Sequence, residues 1–292
     1  MANPISIITV LGAGTMGRGI AHIAALAGYQ TRLFDTSAEA LKKAQAAIHK
    51  NLDKGVELKK VDAGAAGRAK AGLSMHEDLG ESVERADLVI EAVPEDVALK
   101  IETFRTVSRH APAHALYGSN TSALSITEMA AGTDRPERFA GMHFFNPVHV
   151  MKLIELVRGL QTSQKTIDTL WAVGERMGKE MVLVNEAPGF VTSRINALIG
   201  NEAFRMLQEG VASAEDIDKA LKLGLNHPMG PFEMVDLVGL DVRLSILEFL
   251  HRSLGEAFRP NQILIQHVRA GRLGRKVGRG VYSYDENGQR VK

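Results

Sequence analysis

Two ionisable residues stand inside otherwise apolar runs near the middle of the chain: His143 in FAGMHFF (139–145) and Glu155 in KLIELVR (152–158). Both runs read as strands, and Asn146-Pro147 between them is a turn signal. An antiparallel turn centred on residue 149 brings His143 and Glu155, each six positions away, face to face. Their Cβ atoms would then lie about 5 Å apart. An imidazole beside a carboxylate is a general base with a partner that fixes its tautomer and stabilises its charged form. The same pair also describes a hydrogen-bonded core histidine and an acid on an exposed edge strand, because structural pairs perturb each other too.

The chemistry such a base could serve is suggested upstream. The run ISIITVL (5–11) leads into Gly12-Ala13-Gly14-Thr15-Met16-Gly17, and Ile20, Ile23, Ala24 and Ala27 continue at helical spacing. Strand, glycine turn and helix N-terminus together form a cradle for a pyrophosphate. A second strand (31–34) ends in Asp35, which suits the ribose hydroxyls of NAD and repels the 2′-phosphate of NADP. Farther on, a strand at 116–119 opens into Asn120-Thr121-Ser122. Ser125 and Glu128 match a capping box, which leaves Ser122 without a capping duty where open parallel sheets bind ligands. A turn serine bonding its own backbone is the plainer alternative.

These residues need a scaffold, and 292 residues allow about two domains. Residues 1–186 alternate strand and helix, the pattern of an α/β Rossmann-type doubly wound sheet, mostly parallel with an antiparallel edge hairpin. Residues 38–60 read as a lysine-rich helix, and 61–72 as a mobile loop or weak helical turn. Residues 187–292 read as an all-α C-terminal domain, with helices near 190–208, 213–224, 231–238 and 241–254, closed by the basic glycine turn GRKVGRGVYSY (274–284). So much apolar surface on a small domain predicts a homodimer through these helices.

Composition narrows the class. An apolar fraction of 45%, a charged fraction of 24% and a net charge of +1 are ordinary for a globular protein and argue against nucleic-acid binding. The absence of cysteine excludes disulfides and thiolate metal sites, and no metal site is expected. No run approaches the roughly 18 apolar residues of a membrane span, and no signal peptide is evident, so a cytoplasmic protein is expected.

The motifs GAGTMG, SNTS, GMHFFNPV, KLIELV, PGFVTSR, HPMGPFEMVDLVGLD and GRKVGRGVY together resemble, over nearly the full length, the short-chain L-3-hydroxyacyl-CoA dehydrogenases. The resemblance implies NAD-dependent interconversion of L-3-hydroxyacyl-CoA and 3-ketoacyl-CoA, with an acyl-CoA substrate. It implies that His143 is the base, Glu155 its partner and Ser122 the hydrogen-bond donor to the reacting oxygen, with Asn120 and Asn146 lining the site. Gly12, Gly14, Thr15, Met16, Gly17, Asp35, Glu95, Lys100 and Lys276 match the family's NAD contacts. Asn51, Lys54 and Lys59 fall where the family receives the CoA nucleotide, with either lysine a candidate. Ser193 stands where the family usually has asparagine, and its shorter reach affects substrate geometry rather than hydride transfer. Relatives that act on free hydroxy acids such as L-gulonate or carnitine, and non-catalytic lens crystallins of the lineage, are the alternatives.

Overall fold

A computed structural model describes residues 5–291 of the chain. The described chain divides into two compact units, with the boundary between Ala187 and Pro188. The first holds eight strands: β1 (Ile7–Leu11), β2 (Gln30–Phe34), β3 (Leu73–His76), β4 (Leu88–Glu91), β5 (Leu116–Ser119), β6 (Phe139–Phe144), β7 (Leu153–Arg158) and β8 (Glu180–Asn185). The central β4, β5 and β6 are buried at every residue, on both faces, whereas β8 is largely exposed. They make one sheet in the order β3-β2-β1-β4-β5-β6-β7-β8. The first six are parallel in doubly wound order, β7 returns antiparallel to β6, and β8 adds parallel to β7 at the edge. The predicted hairpin therefore stands one strand in from the edge, and β8 covers the strand that carries Glu155.

Helices α1 (Thr15–Leu26), α2 (Ala38–Glu57), α3 (Ala63–Ala71), α4 (Leu79–Val83), α5 (Val97–His110), α6 (Ile126–Ala131) and α7 (Gln164–Arg176) join the strands. Most start at a side-chain cap: Ser37, Asp62, Asp78, Asp96, Ser125 and Ser163 each accept a backbone N–H of the first turn. The reading of 61–72 as a loop or weak turn is corrected here. Asp62 caps a nine-residue helix, and its small residues Ala66 and Ala69 are buried as it packs on α1.

The second unit consists of α8 (Thr192–Gln208), α9 (Ala214–Gly224), α10 (Pro231–Val238), α11 (Leu240–Leu254) and α12 (Gln262–Arg269), followed by a small hairpin of β9 (Ser283–Tyr284) and β10 (Arg290–Val291). Neither α12 nor the hairpin pairing was among the expected elements. The core gathers Phe204, Phe232, Leu247, Leu250 and Leu264. Two buried acids fasten the tail to it. Asp236 accepts from the Val281 and Tyr282 amides and the Tyr284 hydroxyl, and Asp218 accepts from the Tyr282 hydroxyl, all at 2.8–2.9 Å. Among the described residues no helix is long and apolar enough to cross a membrane.

Candidate active site

The hairpin register sets His143 directly opposite Glu155. The imidazole Nδ1 lies 2.8 Å from Glu155 Oε2, with the histidine 7% and the glutamate 1% exposed. A buried carboxylate bonded to Nδ1 holds the proton on that nitrogen, so exchange with a substrate falls to Nε2. Phe145 packs its ring 4.5 Å from the imidazole. The strand is tied to its neighbour turn by Asn120, whose Oδ1 accepts the Phe144 amide at 2.9 Å. Ser122 follows two residues later. Its amide and hydroxyl both point to Glu95 Oε1, at 2.8 and 3.3 Å, and Thr121 donates to the same oxygen at 2.6 Å. Asn146 is exposed in the loop just beyond β6.

The glycine turn closes on itself as the motif requires. A side chain on Gly17 would place its Cβ 1.7 Å from the Gly12 carbonyl oxygen, and one on Gly12, at φ +97°, would meet the Ala92 carbonyl at 2.7 Å. Gly14, just before helix α1, offers no side-chain cap and the first turn holds no acid, so the leading N–H groups remain for an anionic ligand. Asp35 braces the turn, accepting the Ala13 amide at 2.7 Å and the Ser37 amide at 3.0 Å. A cleft of about 750 Å³ runs along this turn, lined by Gly12, Gly14, Thr15, Met16 and Asp35 and walled by α5. These residues suit an adenine dinucleotide: donors for its pyrophosphate, an acid for its ribose and apolar walls for its base.

Lys100 is 1% exposed, and its ammonium reaches Glu91 Oε1 at 2.6 Å, Glu95 Oε2 at 3.2 Å and the Val93 carbonyl at 3.3 Å. Glu91, fully buried in β4, was not among the expected residues. Burial pushes its carboxyl above the usual range, and Lys100 opposes that rise. The signal was present, because an acid inside DLVIEAV is as anomalous as Glu155 inside KLIELVR.

A second cavity of about 850 Å³ lies between α1, the end of α2, the β6–β7 loop and the turn after α7. Lys54, Lys60, Lys152, Arg176 and Lys179 line it together with Asn51, and none of its lining residues is acidic. Of the two candidate lysines, Lys54 lines the cavity and Lys59 does not. The buried His22 and the exposed His149 stand with ring centroids 5.6 Å apart. Burial, His149 and Lys179 together pull His22 down to about 4, and burial followed by Lys179 lowers His149. Lys179, lowered by burial alone, donates to the carbonyls of Val148 and Met151 in the β6–β7 loop.

Ser193 and Lys276 belong to the second unit. Ser193 is half-buried in the first turn of α8, and Lys276 is paired with Asp241 at 2.6 and 2.7 Å.

Comparison with known proteins matches residues 7–187 to the 3-hydroxyacyl-CoA dehydrogenase NAD binding domain and residues 189–284 to the C-terminal domain of the same family. A probable 3-hydroxybutyryl-CoA dehydrogenase of Bacillus subtilis is 47% identical over 96% of this chain and 97% of its own. The mitochondrial hydroxyacyl-coenzyme A dehydrogenase of Sus scrofa is 39% identical over 95% of this chain and 90% of its own. Among solved structures, (S)-3-hydroxybutyryl-CoA dehydrogenase from Ralstonia eutropha superposes with a TM-score of 0.93 at 41% identity, covering 97% of this chain and all of that one.

Proposed function

The chain belongs to the 3-hydroxyacyl-CoA dehydrogenase family, and we propose that it acts on short chains, interconverting L-3-hydroxybutyryl-CoA and acetoacetyl-CoA with His143 as the base. It is an NAD-dependent dehydrogenase, its first unit being the family's NAD binding domain. The observation that carries the assignment of the base is the buried 2.8 Å contact of His143 with Glu155 beside the Asn120–Ser122 turn.

Bound in the glycine-turn cleft, NAD supplies the hydride acceptor. His143 Nε2 takes the proton of the substrate 3-hydroxyl as the hydride leaves C3, and in the reverse direction it returns that proton to the ketone oxygen. Glu155 keeps the Nδ1 proton and stabilises the imidazolium that forms. The Ser122 hydroxyl, whose bond to Glu95 Oε1 is long at 3.3 Å, would turn its hydrogen to the reacting oxygen and hold that oxygen in place. Asn51 and Lys54 receive the CoA nucleotide, a role supported by the all-basic charge of their cavity. Ser193 serves the substrate and Lys276 the cofactor, as the family resemblance implies.

NADH consumption measured with acetoacetyl-CoA, longer 3-ketoacyl-CoAs and free keto acids side by side tests the reading. Acetoacetyl-CoA is expected to be turned over fastest. Faster turnover of a free keto acid overturns the CoA assignment in favour of the hydroxy-acid relatives.

The protein is further read as a cytoplasmic homodimer joined through its second unit, a reading supported by Ile195, Leu223 and Val242, which are 41–78% exposed on its helices. A monomeric mass by light scattering at micromolar concentration overturns the dimer.

A further inference from the structure

Lys100 is turned wholly into the protein. Its ammonium donates to Glu91 Oε1 and the Val93 carbonyl and forms an ion pair with Glu95 Oε2 at 3.2 Å. The side chain is 1% exposed, so it acts on the site through what it holds. What it holds is Glu95. The Oε2 atom of Glu95 faces Lys100, and Oε1 collects Thr121 Oγ1, the Ser122 amide and the Ser122 hydroxyl.

At the other end of the chain of contacts stands Glu91. Its Oε1 fixes Lys100 and accepts the Val93 amide at 2.7 Å, and its Oε2 accepts the Ser119 hydroxyl at 2.5 Å. Its backbone carbonyl accepts the Asn120 amide at 2.8 Å. Asn120 in turn holds the Phe144 amide, next to His143. Glu91 therefore grips the 119–122 turn from both sides: directly at Ser119 and Asn120, and through Lys100 and Glu95 at Thr121 and Ser122.

We propose that Glu91 is a positioning residue for the reaction, setting through Lys100 and Glu95 where the Ser122 hydroxyl stands. The proposal rests on the reading that Ser122 holds the reacting oxygen. A buried ion pair between β4 and α5 is not explained by stability alone, because an apolar pair of similar volume would serve the core as well.

The test is a mutant cycle read in two ways. Glu91→Gln is expected to lower kcat for acetoacetyl-CoA reduction by about tenfold or more, as a displaced reacting group does. Introduced into Ser122→Ala, the same change is expected to lower kcat by no more than about twofold, since both act on one interaction. Losses that multiply, or unchanged kcat in Glu91→Gln, overturn the proposal. If Glu91→Gln does not fold, Glu91→Gln/Lys100→Met removes the unpaired charge, and a melting temperature near wild type with kcat still lowered supports the positioning role. Restored kcat in that double variant overturns it.

Hydrogen exchange followed by mass spectrometry gives the second readout, independent of turnover. Peptides covering residues 117–124 should exchange faster in Glu91→Gln while those covering β2 do not change. Equal protection of both segments overturns the proposal. A wild type inactive on acetoacetyl-CoA overturns the functional reading above and leaves this exchange result to decide the geometry.

Discussion

The carboxyl end of the sheet and the cavity behind α1 hold similar basic groups in opposite states of compensation. At the sheet, Lys100 meets Glu91 and His143 meets Glu155, each pair within 2.8 Å. In the cavity, His22, His149 and Lys179 sit together with no acid among the lining residues. Burying a charge without a partner is costly, so all three cavity groups are pushed toward neutrality. A pair balanced within the fold keeps its geometry whether or not a ligand is bound, which suits groups that must pass a proton along a fixed line. The other basic side chains of the lining, Lys54, Lys60, Lys152 and Arg176, meet no acid there and leave positive potential for an incoming anion. The difference separates a place where a bond changes from a place where phosphates are received.

The comparison is broken most severely by removing the titratable member of a sheet pair. His143→Gln keeps the volume and a hydrogen bond to Glu155 but cannot exchange a proton. It is expected to lose at least about two orders of magnitude in kcat, the scale of base catalysis, while NADH titration by fluorescence shows binding retained. Near-normal turnover ends the assignment of the base. His149, the nearest alternative in sequence, lies in the cavity beside His22 and not beside Glu155, so it offers no substitute dyad.

On the cavity side, the next largest effect is on stability. His22 binds its proton near pH 4 in the folded chain and near 6.5 when unfolded. Above pH 6.5 both states are neutral and the fold has its full stability. As the pH falls from 6.5 towards 4 the unfolded chain takes up a proton that the folded chain refuses, and stability is lost, levelling off below 4. The shift corresponds to about 3 kcal/mol at most. Urea unfolding at pH 7.5 and 4.5 should therefore show a smaller acid loss in His22→Leu than in the wild type. An identical loss in both proteins means that His22 is not the group held neutral.

How far these two regions could be read in advance follows from the range of the contacts that build them. The dyad was legible because a short hairpin fixes its own register, and one apolar run on each side carries one ionisable residue. The glycine turn was legible because strand, turn and helix are consecutive. The first turn of α3 was obscured by its composition: GAAGRAKA carries no apolar period, and its Asp62 cap looks like any loop aspartate until the Ala65 amide is seen on it. Strand β3 follows that helix with only four residues. The clamp of Lys179 on Val148 and Met151 spans 28 to 31 positions and uses backbone carbonyls, which leave no trace in side-chain type. Glu91 could have been flagged by the argument that flagged Glu155, but its partner Lys100 lies on a helix rather than a facing strand.

The smallest effect sharpens the comparison most, because it asks whether the unbalanced charge of the cavity is used. Lys54 lines it from the last turn of α2, whereas Lys59, at φ +55° just past the helix, lies outside the lining. A charge-assisted hydrogen bond to phosphate contributes about 1.5–3 kcal/mol, so Lys54→Ala should raise KM for acetoacetyl-CoA by about tenfold or somewhat more. Because the contact is far from the bond that changes, it strengthens substrate and transition state alike, and kcat should not move. Lys59→Ala should leave both constants at wild-type values. Acetoacetyl-pantetheine, which lacks the nucleotide, supplies the control: with it, wild type and Lys54→Ala should have the same KM. A KM change that persists on the pantetheine substrate would mean that Lys54 acts on the fold of the cavity rather than on the nucleotide. The contrast between a balanced reaction site and an anion-receiving site would then lose its second half.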